Sequence, residues 1–204
     1  MIKDSKLWLL IALAFAGITA QAHPHVNIEQ QLGLVFDDKG LAGILVKWRF
    51  DYFYSEAAAE SYDLNRDDKL SPEEIAALKQ DLFTPIEAES NYLFIRLDGV
   101  RQPSAKATDF SAELKNGALW MTFFVPCQVA LTDTPQELIV ETYDPSYYNE
   151  VVFSKTDPVF ARDANRAAIK TSLRQSADTA YYFDQVHPWA LVAELRQKPW
   201  NICC

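Results

Sequence analysis

The sequence predicts an α+β chain: a β-sandwich-like domain carrying one helical, EF-hand-like insertion. Three observations lead there. Short runs rich in Val, Ile, Leu, Phe and Tyr recur along the chain, with Gly, Pro, Asn and Asp clusters between them. Their succession is broken once, from about 53 to 89, by a block rich in Ala, Glu, Leu and Lys at helical spacing. Inside that block, "DLNRDDKLSPEE" spaces its oxygen-bearing side chains as a calcium loop does.

The chain starts with Lys3 and Lys6, followed by the apolar run "LWLLIALAFAGITA" and the small-x-small pattern Ala20-Gln21-Ala22. Residues 1–22 therefore read as a signal peptide, leaving 23–204 as a single β-rich domain with His23 first. The apolar run is shorter than the ~20 residues a spanning helix needs, and no stop-transfer pattern follows, so the mature protein is expected not to span the membrane. A formal net charge of −9 argues against nucleic acid and anionic lipid as partners, and it suits the gathering of cations.

In the mature chain, "VNIEQQLGLVF" and "LAGILVKWRF" flank the turn residues "DDKG" and read as a hairpin. The helical block follows. Strand signals return with "NYLFIRLDG", "KATDFSAELKN", "ALWMTFFVPC", "QELIVETYD" and "EVVFSK", each closed by a turn-like segment. Beyond Asp157, "FARDANRAAIKTSLRQ" fits a strand or a helix, and "WALVAEL" reads as a short terminal helix. Cys127, Cys203 and Cys204 survive cleavage into a compartment where disulfides persist. One bridge from Cys127 to the C-terminal pair is expected; a vicinal thiol pair as a soft metal ligand is the alternative.

Asp63 to Glu74 lines up with a twelve-residue EF-hand loop. Asp63, Asn65, Asp67, the Lys69 carbonyl, Ser71 and Glu74 stand where six calcium-directed oxygens are needed. The sixth position, usually Gly because the chain turns there with positive φ, is Asp68. Asp tolerates that conformation at about 1 kcal/mol, so a weakened site is expected. A single such loop outside the cell is more often a structural clip than a sensor.

Two of the three histidines sit in "AHPHV". Either both rings are solvated in a permissive post-cleavage sequence, or they chelate. In the second reading the freed α-amine and Nδ1 of His23 bind together and His25 adds a third nitrogen. Glu29 or His187 of "QVHPW" would complete the set. Three neutral nitrogens suit Zn, Cu or Ni better than Ca. Pro24 has no N–H, which excludes the square-planar mode that uses a deprotonated second amide.

Taken together and in order, "AHPHV…LVFDD…G", "VKWRFDYFYS", "DLNRDDKLSPEE" and "YDPSYY" resemble the family catalogued as domain of unknown function 1007, from His23 through about Lys155. The resemblance implies a periplasmic component of an uncharacterised, metal-type transport system. It implies as partner an inner-membrane metal permease of the nickel/cobalt-exporter type, with zinc or else nickel or cobalt as the metal; copper stays open from the histidine chemistry alone. It marks His23 and His25 as ligands, and Asp51, Tyr143, Asp144, Tyr147 and Tyr148 as a functional surface. Asp68 departs from the usual loop, and "NICC" has no place in the family pattern.

The expected function is thus a periplasmic protein that binds a divalent transition metal or delivers it to its transporter. The alternative is a calcium-stabilised adaptor that docks on a membrane partner without transition-metal chemistry. An enzyme ranks third. No nucleophile motif, phosphate loop or carboxylate pair stands out, and only His187 lies away from the terminus.

Overall fold

The computed structural model describes residues 25–181 and 186–198. The predicted signal peptide, His23, Cys203 and Cys204 lie outside the described residues. The first hairpin pairs β1 (Val26–Asp37) with β2 (Gly40–Phe50), antiparallel from Ile28↔Phe50 to Asp37↔Gly40. Its turn is tight because Asp37 Oδ1 accepts the Lys39 N–H at 2.8 Å. Gly40 sits at φ 133°, where a Cβ would lie 2.2 Å from the Val129 carbonyl oxygen, so only glycine fits.

Among the described residues, nine further strands follow the helical segment. They are β3 (Leu93–Leu97), β4 (Val100–Arg101), β5 (Thr108–Lys115), β6 (Ala118–Val129) and β7 (Gln136–Thr142), then β8 (Asn149–Phe153), β9 (Val159–Arg162), β10 (Ala167–Gln175) and β11 (Trp189–Gln197). They form two sheets. The first runs β5-β6-β2-β1-β8, with β9 also pairing β1; the second runs β10-β11-β7-β3-β4. Both β8 and β9 run parallel to β1, a pairing that no hairpin spacing announces.

Alternation along the strands turns one face of each sheet inward. Ile28, Leu32, Leu34, Ile44, Val46, Trp48, Met121 and Phe123 of the first sheet share one core with Leu138, Val140, Leu191, Ala193 and Leu195 of the second. Gln30, fully buried on β1, donates its amide to the Thr142 hydroxyl on β7 and ties the two sheets together.

The α+β class and the EF-hand-like insertion are both corrected. Strand accounts for 51% of the described residues and helix for 18%, so the chain is a mainly β sandwich. The segment between β2 and β3 is a chain of short pieces: α1 (Tyr52–Tyr62), α2 (Pro72–Leu78), a π turn (Lys79–Phe83), α3 (Thr84–Ala88) and a 3-10 turn (Ser90–Tyr92). Instead of facing α2 as the first member of a helix pair, α1 packs chiefly on β6. The second helix does not run on regularly, because Pro85 lacks an N–H and its ring would strike the carbonyl one turn back. The π turn absorbs this mismatch, with the Thr84 N–H donating to the Lys79 carbonyl.

"WALVAEL" is also corrected, from helix to strand. Its Ala, Leu and Glu favour a helix in isolation, but Leu191, Ala193 and Leu195 alternate into the core. β11 is paired on both sides, by β10 and β7, and this outweighs local propensity. "FARDANRAAIKTSLRQ", open between strand and helix, forms β9 and β10.

Candidate functional site

One end of the sandwich gathers His25, Asp51 and the "YDPSYY" turn. The backbone does much of this. The His25 N–H donates to the Tyr148 carbonyl at 2.9 Å, and the Val26 N–H reaches the same oxygen at 3.3 Å. The exposed His25 ring lies against the Tyr148 ring with centroids 4.9 Å apart and planes tilted by 36°.

Asp51 turns out to be a structural clasp. As N-cap of α1 it accepts the Tyr54 N–H on Oδ1 at 3.0 Å, while Oδ2 accepts the Asn27 N–H at 2.7 Å. The start of the helix is thereby fastened to the start of β1. Ser55, one turn on, donates its hydroxyl to the Asp51 carbonyl at 2.6 Å and accepts the Leu119 N–H at 2.9 Å, which seats α1 on β6. Tyr54 stacks on Phe50 at 4.9 Å. Burial, and then the neighbouring Tyr62, Tyr148 and Asp51, push its hydroxyl up to about 12. Tyr52 and Phe53, by contrast, expose their rings to solvent.

Asp144 organises the turn. Its Oδ1 accepts the Ser146 N–H at 2.8 Å and the Ser146 hydroxyl at 2.7 Å. Oδ2 accepts the Asn149 N–H at 3.0 Å and the Asn149 side-chain amide at 2.7 Å. Burial by itself would raise this carboxyl, but the four donors outweigh it and hold it below the usual carboxylate range. Tyr147 adopts φ 57° within the turn. Its ring then packs edge-on against Tyr181, while the next residue, Tyr148, meets His25. Tyr143 stacks on Phe94 at 4.2 Å and on Tyr181 at 4.6 Å, and burial raises its hydroxyl.

Other predicted ligands are occupied elsewhere. Glu29 accepts the Ser154 hydroxyl and faces Arg49 at 3.4 Å. His187 Nδ1 lies 2.9 Å from the Thr179 carbonyl oxygen, in the segment between β10 and β11. A network that sequence reading missed holds that segment down. Buried Glu141 pairs with Arg96 at 3.0 Å and accepts the Ser176 hydroxyl, and Arg96 also donates to Thr179 Oγ1 at 3.0 Å. The one signal for it was a Glu inside the apolar run "ELIVET".

In the Asp63–Glu74 loop the oxygens are taken up by the loop's own backbone. Asp63 accepts the N–H groups of Asp67 and Asp68 at 3.1 and 3.0 Å, and Asp67 Oδ1 accepts the Lys69 N–H at 3.0 Å. The Asn65 side-chain amide donates to Asp67 Oδ2. Glu74 accepts the Ser71 N–H at 2.8 Å and the Leu64 N–H at 2.9 Å, and these bonds hold its carboxyl below the usual range. Ser71 and Glu74 form a reciprocal capping box on α2. Asp68 stands at φ 59°, the left-handed turn that the loop demands of its sixth position. Among the described residues, no three His, Cys, Asp or Glu side chains gather closely enough to hold a metal ion. Cys127, on β6, has no disulfide partner among the described residues, and burial pushes its thiol up; its proposed partners Cys203 and Cys204 lie outside them. No helix of the described residues is long and apolar enough to cross a membrane.

The fold and the site define a mainly β, two-sheet protein in which the first strand is fastened at its start by an aromatic turn. The chain belongs to the family described as a protein of unknown function, DUF1007, which it matches over residues 8–187. It is also similar to an uncharacterized 15.5 kDa protein in the trpE 3' region of Spirochaeta aurantia. The two are 28% identical over 127 residues, which is 62% of this chain and 90% of that protein.

Proposed function

We propose that this protein is a periplasmic metal-binding component that takes up a divalent transition metal, zinc foremost, at its mature N-terminus. It would pass that metal to an inner-membrane permease of the nickel/cobalt-exporter type. The observation that supports this is the placement of His25: its ring is exposed and laid against Tyr148, and its backbone is pinned at the first residues of β1. A histidine fixed in this way, with His23 two residues before it, offers imidazole nitrogens to a borderline metal at little ordering cost. Glu29 and His187, each with a protein partner, are poor candidates for the remaining position. Calcium is proposed for the Asp63–Glu74 loop, where the donor chemistry suits a hard cation and Asp68 already has the required turn. Filling that site would require the carboxylates to release some of their backbone donors.

The test is a competitive zinc titration of protein exported through its own signal, so that His23 carries a free amine. Binding at least tenfold weaker in H23A and in H25A is the expected result. Zinc affinity indifferent to both substitutions would refute the proposal and leave the calcium-stabilised adaptor as the better reading.

A further inference from the structure

The turn that the family pattern singles out has no role yet in metal binding, and its geometry suggests one. Two successive tyrosines leave it for different neighbours. Tyr147, at φ 57°, sends its ring to Tyr181 on the segment over the second sheet. Tyr148 sends its ring to His25 at the start of the first sheet. A non-glycine residue in the left-handed region costs about 1 kcal/mol, so surrounding bonds must hold it there. Asp144 supplies them: it is 2% exposed and accepts from both Ser146 and Asn149, while its own carbonyl accepts the Tyr147 N–H at 2.9 Å. The Asn149 amide bonds in turn to the Tyr92 hydroxyl at 3.2 Å, which anchors the turn to the core edge. The Tyr148 carbonyl then receives both the His25 and Val26 N–H groups, and parallel pairing continues with Val26↔Asn149.

We propose that Tyr148 is the positioning residue for His25, holding the imidazole at the start of β1 in the orientation in which it meets a divalent transition metal. This assignment rests on the metal-binding reading above, but the placement of the ring can be measured without metal. The Tyr148 carbonyl fixes where the His25 backbone lies, and the Tyr148 ring limits how the imidazole turns. Partners that orient a ligating histidine typically matter by 10–100-fold in metal affinity. At 48% exposure the Tyr148 ring contributes little to the core, so replacing it should leave the fold intact.

The experiment compares wild type, Y148F and Y148L, all exported with a free N-terminus. The carbon-bound ring protons of His25, assigned by their loss in H25A, are followed by NMR, and zinc affinity is measured by competition. With three histidines in the chain the spectrum is simple. Wild type and Y148F should show His25 ring protons shifted upfield by the aromatic neighbour, and Y148L should not. Zinc should bind about tenfold more weakly to Y148L and normally to Y148F. Unchanged His25 resonances in Y148L would overturn the proposal. So would zinc binding that depends on His25 yet ignores Y148L. If wild type binds no zinc, the metal reading fails, and the NMR comparison alone still decides whether Tyr148 holds the His25 ring.

Discussion

Replacing Asp144 by Asn probes the element on which the whole site is built. The carboxylate accepts four hydrogen bonds, two on each oxygen, at distances from 2.7 to 3.0 Å. An amide of the same shape keeps one acceptor oxygen and sets an NH2 group against two donors. Whichever way it is oriented, two bonds to a charged acceptor are lost. Each is worth roughly 1.5–3 kcal/mol, and local relaxation recovers part of that, so a loss of about 3 kcal/mol is expected. Urea denaturation followed by circular dichroism at pH 7 measures it.

The pH dependence supplies a second reading. Asp144 has a folded-state value below its unfolded one, near 3.9, so its contribution is present above about pH 4 and is lost as pH falls through the lowered folded value. The gap between wild type and D144N should therefore be full from pH 5 to 7 and close progressively below about pH 4. A gap under about 0.5 kcal/mol at pH 7 would refute the claim that this carboxylate organises the turn, as would a gap that widens in acid.

Two further expectations concern the helical segment. S55A removes the buried acceptor of the Leu119 N–H and should lower stability by about 1–3 kcal/mol in urea; a change within experimental error would show that α1 is not seated through this hydroxyl. Calcium at tenfold above its dissociation constant should stabilise the protein by about 1.4 kcal/mol, read as a raised melting temperature, and E74Q should abolish the rise. A melting temperature indifferent to millimolar calcium would remove the cation from the Asp63–Glu74 loop.

Much of the sandwich could be read from local pattern. "DDKG" between two apolar runs marks the β1–β2 hairpin, and the runs from Leu93 to Phe153 become strands where the turn residues delimit them. The parallel pairing of β1 with β8 and β9 could not be read, because it joins segments more than a hundred residues apart through no shared turn. "WALVAEL" was misread because helix propensity is local, whereas its two strand neighbours come from elsewhere in the chain.

For the site, motifs and resemblance singled out residues without showing the structural roles they take. Asp51, three positions before Tyr54 at the start of a helical run, carries the signal of an N-cap, and capping is what the structure has it do. In "YDPSYYN" the Asp, Ser and Asn form an interlocked turn, which the sequence shows as turn chemistry but not as an anchor for His25. Glu141 was missed because a buried Glu on a strand declares itself only through its partners Arg96 and Ser176, far along the chain.

The central claim is that the N-terminal histidines hold the metal, and X-ray absorption at the zinc edge of the stoichiometric complex tests it most directly. The account predicts a nitrogen and oxygen shell at about 2.0–2.1 Å with the outer scattering of two imidazole rings. That scattering should be reduced to one ring in H25A. A shell of sulfur at about 2.3 Å, pointing to the C-terminal cysteines, would contradict it, as would a shell of oxygens with no imidazole signature.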